Sequence, residues 1–240
     1  MERIYAVILA AGTSSRLGFN KLTLRINGRP VIQSAIEPFF QKGIEKIFVV
    51  TNPENGPIKK ALETPFVPDK NTPGQASPLQ PSTFNLPPST INHQPSTFHL
   101  PPSTFITNFH FMEGMSSSIK AVIPYIKNTD AVFFHLGDKP FIKRETVKKM
   151  IELYLNREKN PFDIILPAYG GRKGHPVLVH IKPYIEEMQS LEGDRGLREI
   201  IDNHSKNVLL IEGDGGNIFD IDTEEEINIL KERKYLIEKD

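Results

Sequence analysis

The chain has 240 residues, 38% of them hydrophobic and 24% charged, which suits one α/β domain with a single sizeable core. Its 29 Lys plus Arg balance 29 Asp plus Glu, so the broad positive field that holds proteins on nucleic acid or anionic membranes is missing, and a small-molecule partner is expected. There is no cysteine, which excludes disulfides, thiolate metal sites and a cysteine nucleophile, and leaves oxygen or imidazole to hold any metal.

The first apolar run, Tyr5 to Ala10, predicts a strand that begins close to the N-terminus with no signal-peptide pattern. No apolar run approaches the length of a membrane span, and a cytoplasmic protein is expected. The strand runs straight into Ala10-Ala11-Gly12-Thr13-Ser14-Ser15-Arg16-Leu17-Gly18, where small residues let a ligand approach the backbone and hydroxyls and amides can meet phosphate oxygens. Arg16, as a fork, and Lys21, as a point charge, would supply the fixed positive charge that a triphosphate needs. The same residues also suit a plain strand-to-loop turn with solvated bases. The loop fits neither the dinucleotide fingerprint nor the P-loop pattern.

Val31, Ile32, Ala35, Ile36 and Phe39 then form a stripe of helical period, and Lys46 to Thr51 predicts the next strand. From Pro81 a seven-residue repeat opens on Pro81, Pro88, Pro95 and Pro102; proline in every unit rules out a coiled coil. Residues 64–103 are read as an extended or disordered insertion rich in Pro, Ser and Thr, within a single domain spanning 1–240.

Beyond the insertion, Asn108 precedes Gly114-Met115-Ser116-Ser117-Ser118, and Ile119, Val122, Ile123 and Ile126 form a second helical stripe. Ala131 to Leu136 predicts a strand ending in Gly137-Asp138-Lys139-Pro140. Further strands are predicted over Asp163 to Pro167, Val177 to His180, Val208 to Ile211 and Ile218 to Ile221. Strands alternating with helices imply an α/β fold with a doubly wound, mostly parallel sheet and helices on both faces, with the loops that follow the strands gathered on one ligand-binding edge. Asp138 reaches that edge, as does Asp222; Thr223 and Glu226 form a capping box, which accounts for the acidic run but not for Asp222 before it. Two carboxylates from different strand ends can hold one magnesium ion, so Asp138 and Asp222 are the candidate metal ligands, with Asp220 in reserve.

With Lys21, the first loop resembles the L-A-A-G-x-S-x-R-x-G-x-x-K signature of the MobA-like nucleotidyltransferases that act on molybdenum cofactor, in particular their cytidylyltransferase branch. Asn108 with the Gly114 segment is similar to that family's N-x(5)-G-x-x-S-S, Gly137-Asp138-Lys139-Pro140 to its G-D-x-P, and Ile218 to Glu224 to its D-I-D-T-P-E, with Glu224 where proline is usual. Pro167 to Leu178 resembles P-x-Y-x-G-R-x-G-H-P-V-L, and Gly193-Asp194-Arg195-Gly196-Leu197-Arg198 resembles G-D-x-G-A-R, with Leu197 in place of a small residue. The resemblance covers almost the whole chain outside the insertion.

The resemblance implies a Rossmann-like nucleotidyltransferase fold and transfer of CMP from CTP to molybdopterin, or to its molybdenum-loaded form, with magnesium as cofactor and release of pyrophosphate. Lys21, Arg16 and Asp138 take the catalytic roles. Leu9, Ala10, Ala11, Gly12, Thr13, Ser14, Arg16, Lys21, Ser117 and Ser118 bind the nucleotide, and Tyr169, Gly174, His175, Pro176, Asp194 and Arg198 bind the acceptor. A molybdenum hydroxylase or its maturation chaperone is the implied recipient of the product. Two alternatives stay open: a cytidylyltransferase of a sugar or alcohol phosphate, and a non-catalytic carrier of the cofactor.

Overall fold

The computed structural model describes residues 2–14, 16–63, 103–157 and 161–239; the predicted insertion falls outside them, apart from Ser103. In chain order the strands are β1 Ile4–Ala10, β2 Arg25–Ile26, β3 Arg29–Pro30, β4 Lys46–Thr51, β5 Thr104–Thr107, β6 Ala131–Leu136, β7 Ile164–Tyr169, β8 Arg172–Lys173, β9 Val177–His180, β10 Val208–Glu212 and β11 Ile237–Glu238. The helices are α1 Val31–Ile36, α2 Gly56–Glu63, α3 Met115–Ile126, α4 Arg144–Leu155, α5 Ile185–Ser190, α6 Arg198–Asn203, α7 Gly215–Ile218 and α8 Glu224–Glu232.

The main sheet runs β10-β7-β9-β6-β1-β4-β5, with β8 hairpinned onto β7. Strand β1 is parallel to β4 and β6, β4 to β5, and β7 to β10; β9 alone on this path is antiparallel to its neighbours β6 and β7. This is the expected doubly wound, mostly parallel sheet. Period-two alternation sends Ile4, Ala6, Ile8 and Ala10 of β1 to one core with α1, α4 and α8, and Tyr5 and Val7 to a second core with α3, α5 and α6. Both faces of the central strands are therefore dry, which is why their sequences read as unbroken apolar runs.

The predicted strand over Ile218 to Ile221 is not one. Asp214 accepts from Gly216 N at 2.9 Å and Asn217 Oδ1 accepts from Asp214 N at 2.8 Å, a capping box that winds residues 215–218 into the short helix α7. Residues 219–222 that follow are held to the β6 end by one backbone bond, Ile221 N to Asp138 O at 3.2 Å. The helical stripe ending at Phe39 is likewise split, because Pro38 cannot continue α1 and residues 37–39 tighten into a 3₁₀ turn.

The antiparallel β9 has a consequence for function. Its entrance, Gly174-His175-Pro176, lies on the same edge as the exits of its neighbours β6 and β7, so a segment preceding a strand joins segments that follow strands.

Candidate active site

At the exit of β1, the loop from Ala11 to Gly18 turns with Ser14 and Gly18 at positive φ, 53° and 69°, and closes with a 3.1 Å bond from Leu17 N to Ser14 O. The Ser14 hydroxyl accepts from Lys21 N at 3.2 Å, which fixes Lys21 beneath the loop. Gly137 N bonds Leu9 O at 2.9 Å, and a side chain at 137 would press on Leu9 O and Ala10; the exits of β6 and β1 thus touch, and Asp138 arrives beside the loop.

Four residues singled out in the sequence meet here. Lys21, only 9% exposed, places its Nζ 2.6 Å from Asp138 Oδ2 and 3.0 Å from Asp222 Oδ1. The Arg16 guanidinium contacts the other oxygen of Asp222 from the solvent side. Burial opposes the charge on Lys21, but the two carboxylates outweigh it and raise its pKa. Burial likewise works against ionisation of Asp222, yet Lys21 and Arg16 hold its pKa below the usual carboxylate value. Both carboxylates thus converge on a single cation.

The buried Oδ1 of Asp138 has no hydrogen-bond partner among the described residues, so this carboxylate has bonding capacity that Lys21 does not use. Among the described residues no group of three or more His, Cys, Asp or Glu is placed to hold a metal. Two carboxylates nonetheless match what magnesium takes from protein when waters and phosphate oxygens complete its shell.

Ser117 and Ser118 lie in the first turn of α3, whose N-cap is Gly114 with no side-chain cap. Asn108 holds both hydroxyls, donating to Ser117 Oγ at 2.8 Å and Ser118 Oγ at 3.0 Å, while its own N bonds Thr51 O at 2.7 Å at the exit of β4. The helix start is thereby fixed to the edge of the sheet. Asp194 meets it from the other side, accepting from Met115 N at 3.1 Å, and Ser116 N donates to Gly193 O at 3.0 Å. Gly114, at φ 94°, would bring a Cβ within 2.6 Å of the Gly193 backbone, so only glycine permits this contact.

His175 is locked by Asn217: His175 N donates to Asn217 O and Asn217 Nδ2 to His175 O, each at 2.9 Å. A Cβ at Gly174 would come within 2.7 Å of Asn217 O, which explains the glycine before it. Tyr169 and Arg172 sit on the β7–β8 hairpin, Pro176 is buried, and Arg198, whose charge reaches His175, is exposed at the start of α6. Leu197 is 7% exposed in the second core, which accounts for the larger side chain there.

Burial, reinforced by the charge of Lys139, pushes the His175 pKa from 6.5 down to about 3. The folded chain thus refuses a proton that the unfolded chain accepts between those values, so the contribution of His175 to stability falls as pH drops through that window and is flat above it. Thermal melts between pH 7.5 and 4.5 are expected to show Tm falling toward acid, with a shallower slope in His175→Gln. Part of the slope should survive through buried His135, shifted in the same direction by burial. Identical slopes would place the His175 imidazole in contact with water.

Sequence reasoning missed three residues on this edge. Asn52 donates to Ala11 O at 3.4 Å, and its buried Oδ1 is without a partner; nothing in the sequence marks it. Asn217 is signalled only by the Asp214-x-x-Asn217 cap, and Lys139 only by its place after Asp138.

A family model described as "MobA-like NTP transferase domain" matches residues 6–81 and 84–208. A protein of Natranaerobius thermophilus described as "Probable molybdenum cofactor guanylyltransferase" is 26% identical over 170 residues, covering 71% of this chain and 62% of its own length. One of the same description from Thermococcus sibiricus is 43% identical over 65 residues, covering 27% of this chain and 33% of its own. The chain therefore spans less than two thirds of either curated relative. Among solved structures, Rv0371c of Mycobacterium tuberculosis superposes with a TM-score of 0.71 at 18% identity, over 96% of this chain and 98% of that one. Another structure of Rv0371c is a complex with manganese, with a TM-score of 0.66 at 16% identity and the same coverage. At such identity these structures speak for the fold alone. Among the described residues no helix is long and apolar enough to cross a membrane.

Proposed function

The chain belongs to the MobA-like NTP transferase family, and from that premise we propose that it transfers a nucleoside monophosphate from a nucleoside triphosphate to the terminal phosphate of a molybdopterin-type acceptor. The observation that carries the reading is the Lys21 ammonium held between Asp138 and Asp222 directly below the β1 loop. A bound magnesium would be held by Asp138 and Asp222 and would neutralise phosphate charge. An acceptor phosphate oxygen forms a bond to the α-phosphorus, the bond from that phosphorus to the bridging oxygen breaks, and pyrophosphate leaves.

The acceptor phosphate is already ionised at neutral pH, so no general base is required. The chain's own part is positioning and charge stabilisation. Leu9, Ala10, Ala11, Gly12, Thr13 and Ser14 present backbone and hydroxyl groups to the triphosphate, with Ser117 and Ser118 at the adjoining helix start. Arg16 and Lys21 offset the charge that builds on the leaving pyrophosphate. Tyr169, Gly174, His175, Pro176, Asp194 and Arg198 face the acceptor from the hairpin, the β9 entrance and the loop before α6. His175, kept neutral by burial, offers hydrogen bonds rather than charge. A pure carrier of the cofactor would have no use for the lysine and carboxylate pair.

The sequence Ala10-Ala11-Gly12 supports CTP as the donor. The guanylyltransferase descriptions of the curated relatives support GTP as a second reading. Incubating the protein with magnesium, molybdopterin and each nucleoside triphosphate, while following pyrophosphate, separates them. Release is expected only when acceptor and nucleotide are both present, with kcat/KM higher for CTP; a few contacts to a base discriminate by a few kcal/mol, so a preference is expected rather than exclusion. Equal or reversed values would remove the preference for CTP. No release with molybdopterin, but release with a sugar or alcohol phosphate, would move the chain to a different acceptor.

A further inference from the structure

Lys139 follows the candidate ligand Asp138 and is buried, with 6% of its surface exposed. Its backbone is clamped, since its carbonyl lies 3.1 Å from His135 Nε2. Its Nζ donates to the Ile218 carbonyl at 3.3 Å, and the carboxylate facing it is Asp220, with Oδ2 at 3.7 Å. Burial lowers the Lys139 pKa, and Asp220 and then Asp138 act against that shift. Asp220 shares an extended segment with Asp222, and by sequence alone either could ligate a metal. Asp222 binds Lys21 and Arg16, whereas Asp220 is paired with a different lysine.

A buried ammonium loses hydration that the single carbonyl of Ile218 restores only in part, and a carboxylate beside it offsets much of the remainder, whether or not a metal is bound. We propose that Asp220 is that counter-ion rather than a metal ligand, and that the Lys139–Asp220 pair, beyond Lys21 and Arg16, tunes the charge presented to a divalent cation held by Asp138 and Asp222. The inference rests on the metal reading of that carboxylate pair. The Asp220 carboxylate, 3.7 Å from the Lys139 ammonium, offsets its charge as seen from the cation. Without Asp220, Lys139 repels the cation, and without both, the site returns to near its original charge.

Manganese binding to the full chain, measured by titration calorimetry, tests this in Asp220→Asn, Lys139→Met, the double variant and Asp222→Ala, with folding checked by circular dichroism. Asp220→Asn is expected to weaken manganese binding about tenfold, because an uncompensated ammonium is left beside the dication. Lys139→Met should bind no more weakly than the parent, and the double variant should recover to within about threefold of it, the coupling expected of a charge pair. A double variant as weak as Asp220→Asn would make Asp220 a ligand and overturn the proposal, as would a tenfold loss in Lys139→Met. Unchanged binding in Asp222→Ala would overturn the metal reading itself, whereas a loss there without recovery in the double variant overturns only the role of Asp220. Should Lys139→Met fail to fold, Lys139→Gln, which keeps a donor for Ile218, takes its place in both arms.

Discussion

Alanine at Asp138 or at Asp222 is expected to lower turnover by about a thousandfold, equivalent to about 4 kcal/mol of lost charge stabilisation at the reacting phosphate. Both carboxylates stand at the ligand edge, outside the two cores, so the far-ultraviolet circular dichroism of either variant should match the parent. What each removes is half of the pair that converges on Lys21, at 2.6 Å from Asp138 and 3.0 Å from Asp222. The measurement is the initial rate of pyrophosphate release at saturating nucleotide and magnesium. Near-normal turnover in either variant would remove that residue from the site. Asp220→Ala should be the mildest of the three, because its partner is Lys139.

Lys21→Met is expected to reduce kcat/KM by about two to three orders of magnitude, the range for losing one preorganised donor to a developing anionic charge. It carries a second signature. In the parent, the ammonium screens Asp138 from Asp222; in the variant, the two carboxylates face each other with Arg16 alone beside Asp222. Mutual repulsion should lower Tm without metal, and magnesium should raise Tm more in the variant than in the parent, since ligand that binds only the folded state stabilises it. Equal magnesium shifts in the two proteins would mean that the lysine does not stand where the cation is expected. Unchanged kcat/KM would take Lys21 out of the reaction.

Much of the fold was legible because its parts are local. Strands β4, β6 and β9 have the predicted bounds, since each is an apolar run flanked by turn residues and buried on both faces. The α3 stripe and the Thr223–Glu226 cap also appear as expected, the latter with Thr223 N to Glu226 Oε2 at 2.7 Å. The failure at 218–221 has a local cause as well. Ile218-Phe219-Asp220-Ile221 reads as a short apolar run, but the Asp214–Asn217 cap takes Ile218 into the helix over residues 215–218.

By itself the sequence determined the layered α/β class and the loop that follows the first strand. It also marked Lys21, Asp138 and Asp222 as candidates, through their places in motifs that resemble those of one family rather than through their positions alone. Only the tertiary structure decided which carboxylate serves which lysine. Asp220 and Asp222 are two positions apart in one segment, and no local pattern distinguishes them. The choice is made by Lys139 and Lys21, brought from the end of β6 and the β1 loop by sheet pairing between residues more than a hundred positions apart, and by burial that favours a carboxylate beside each ammonium.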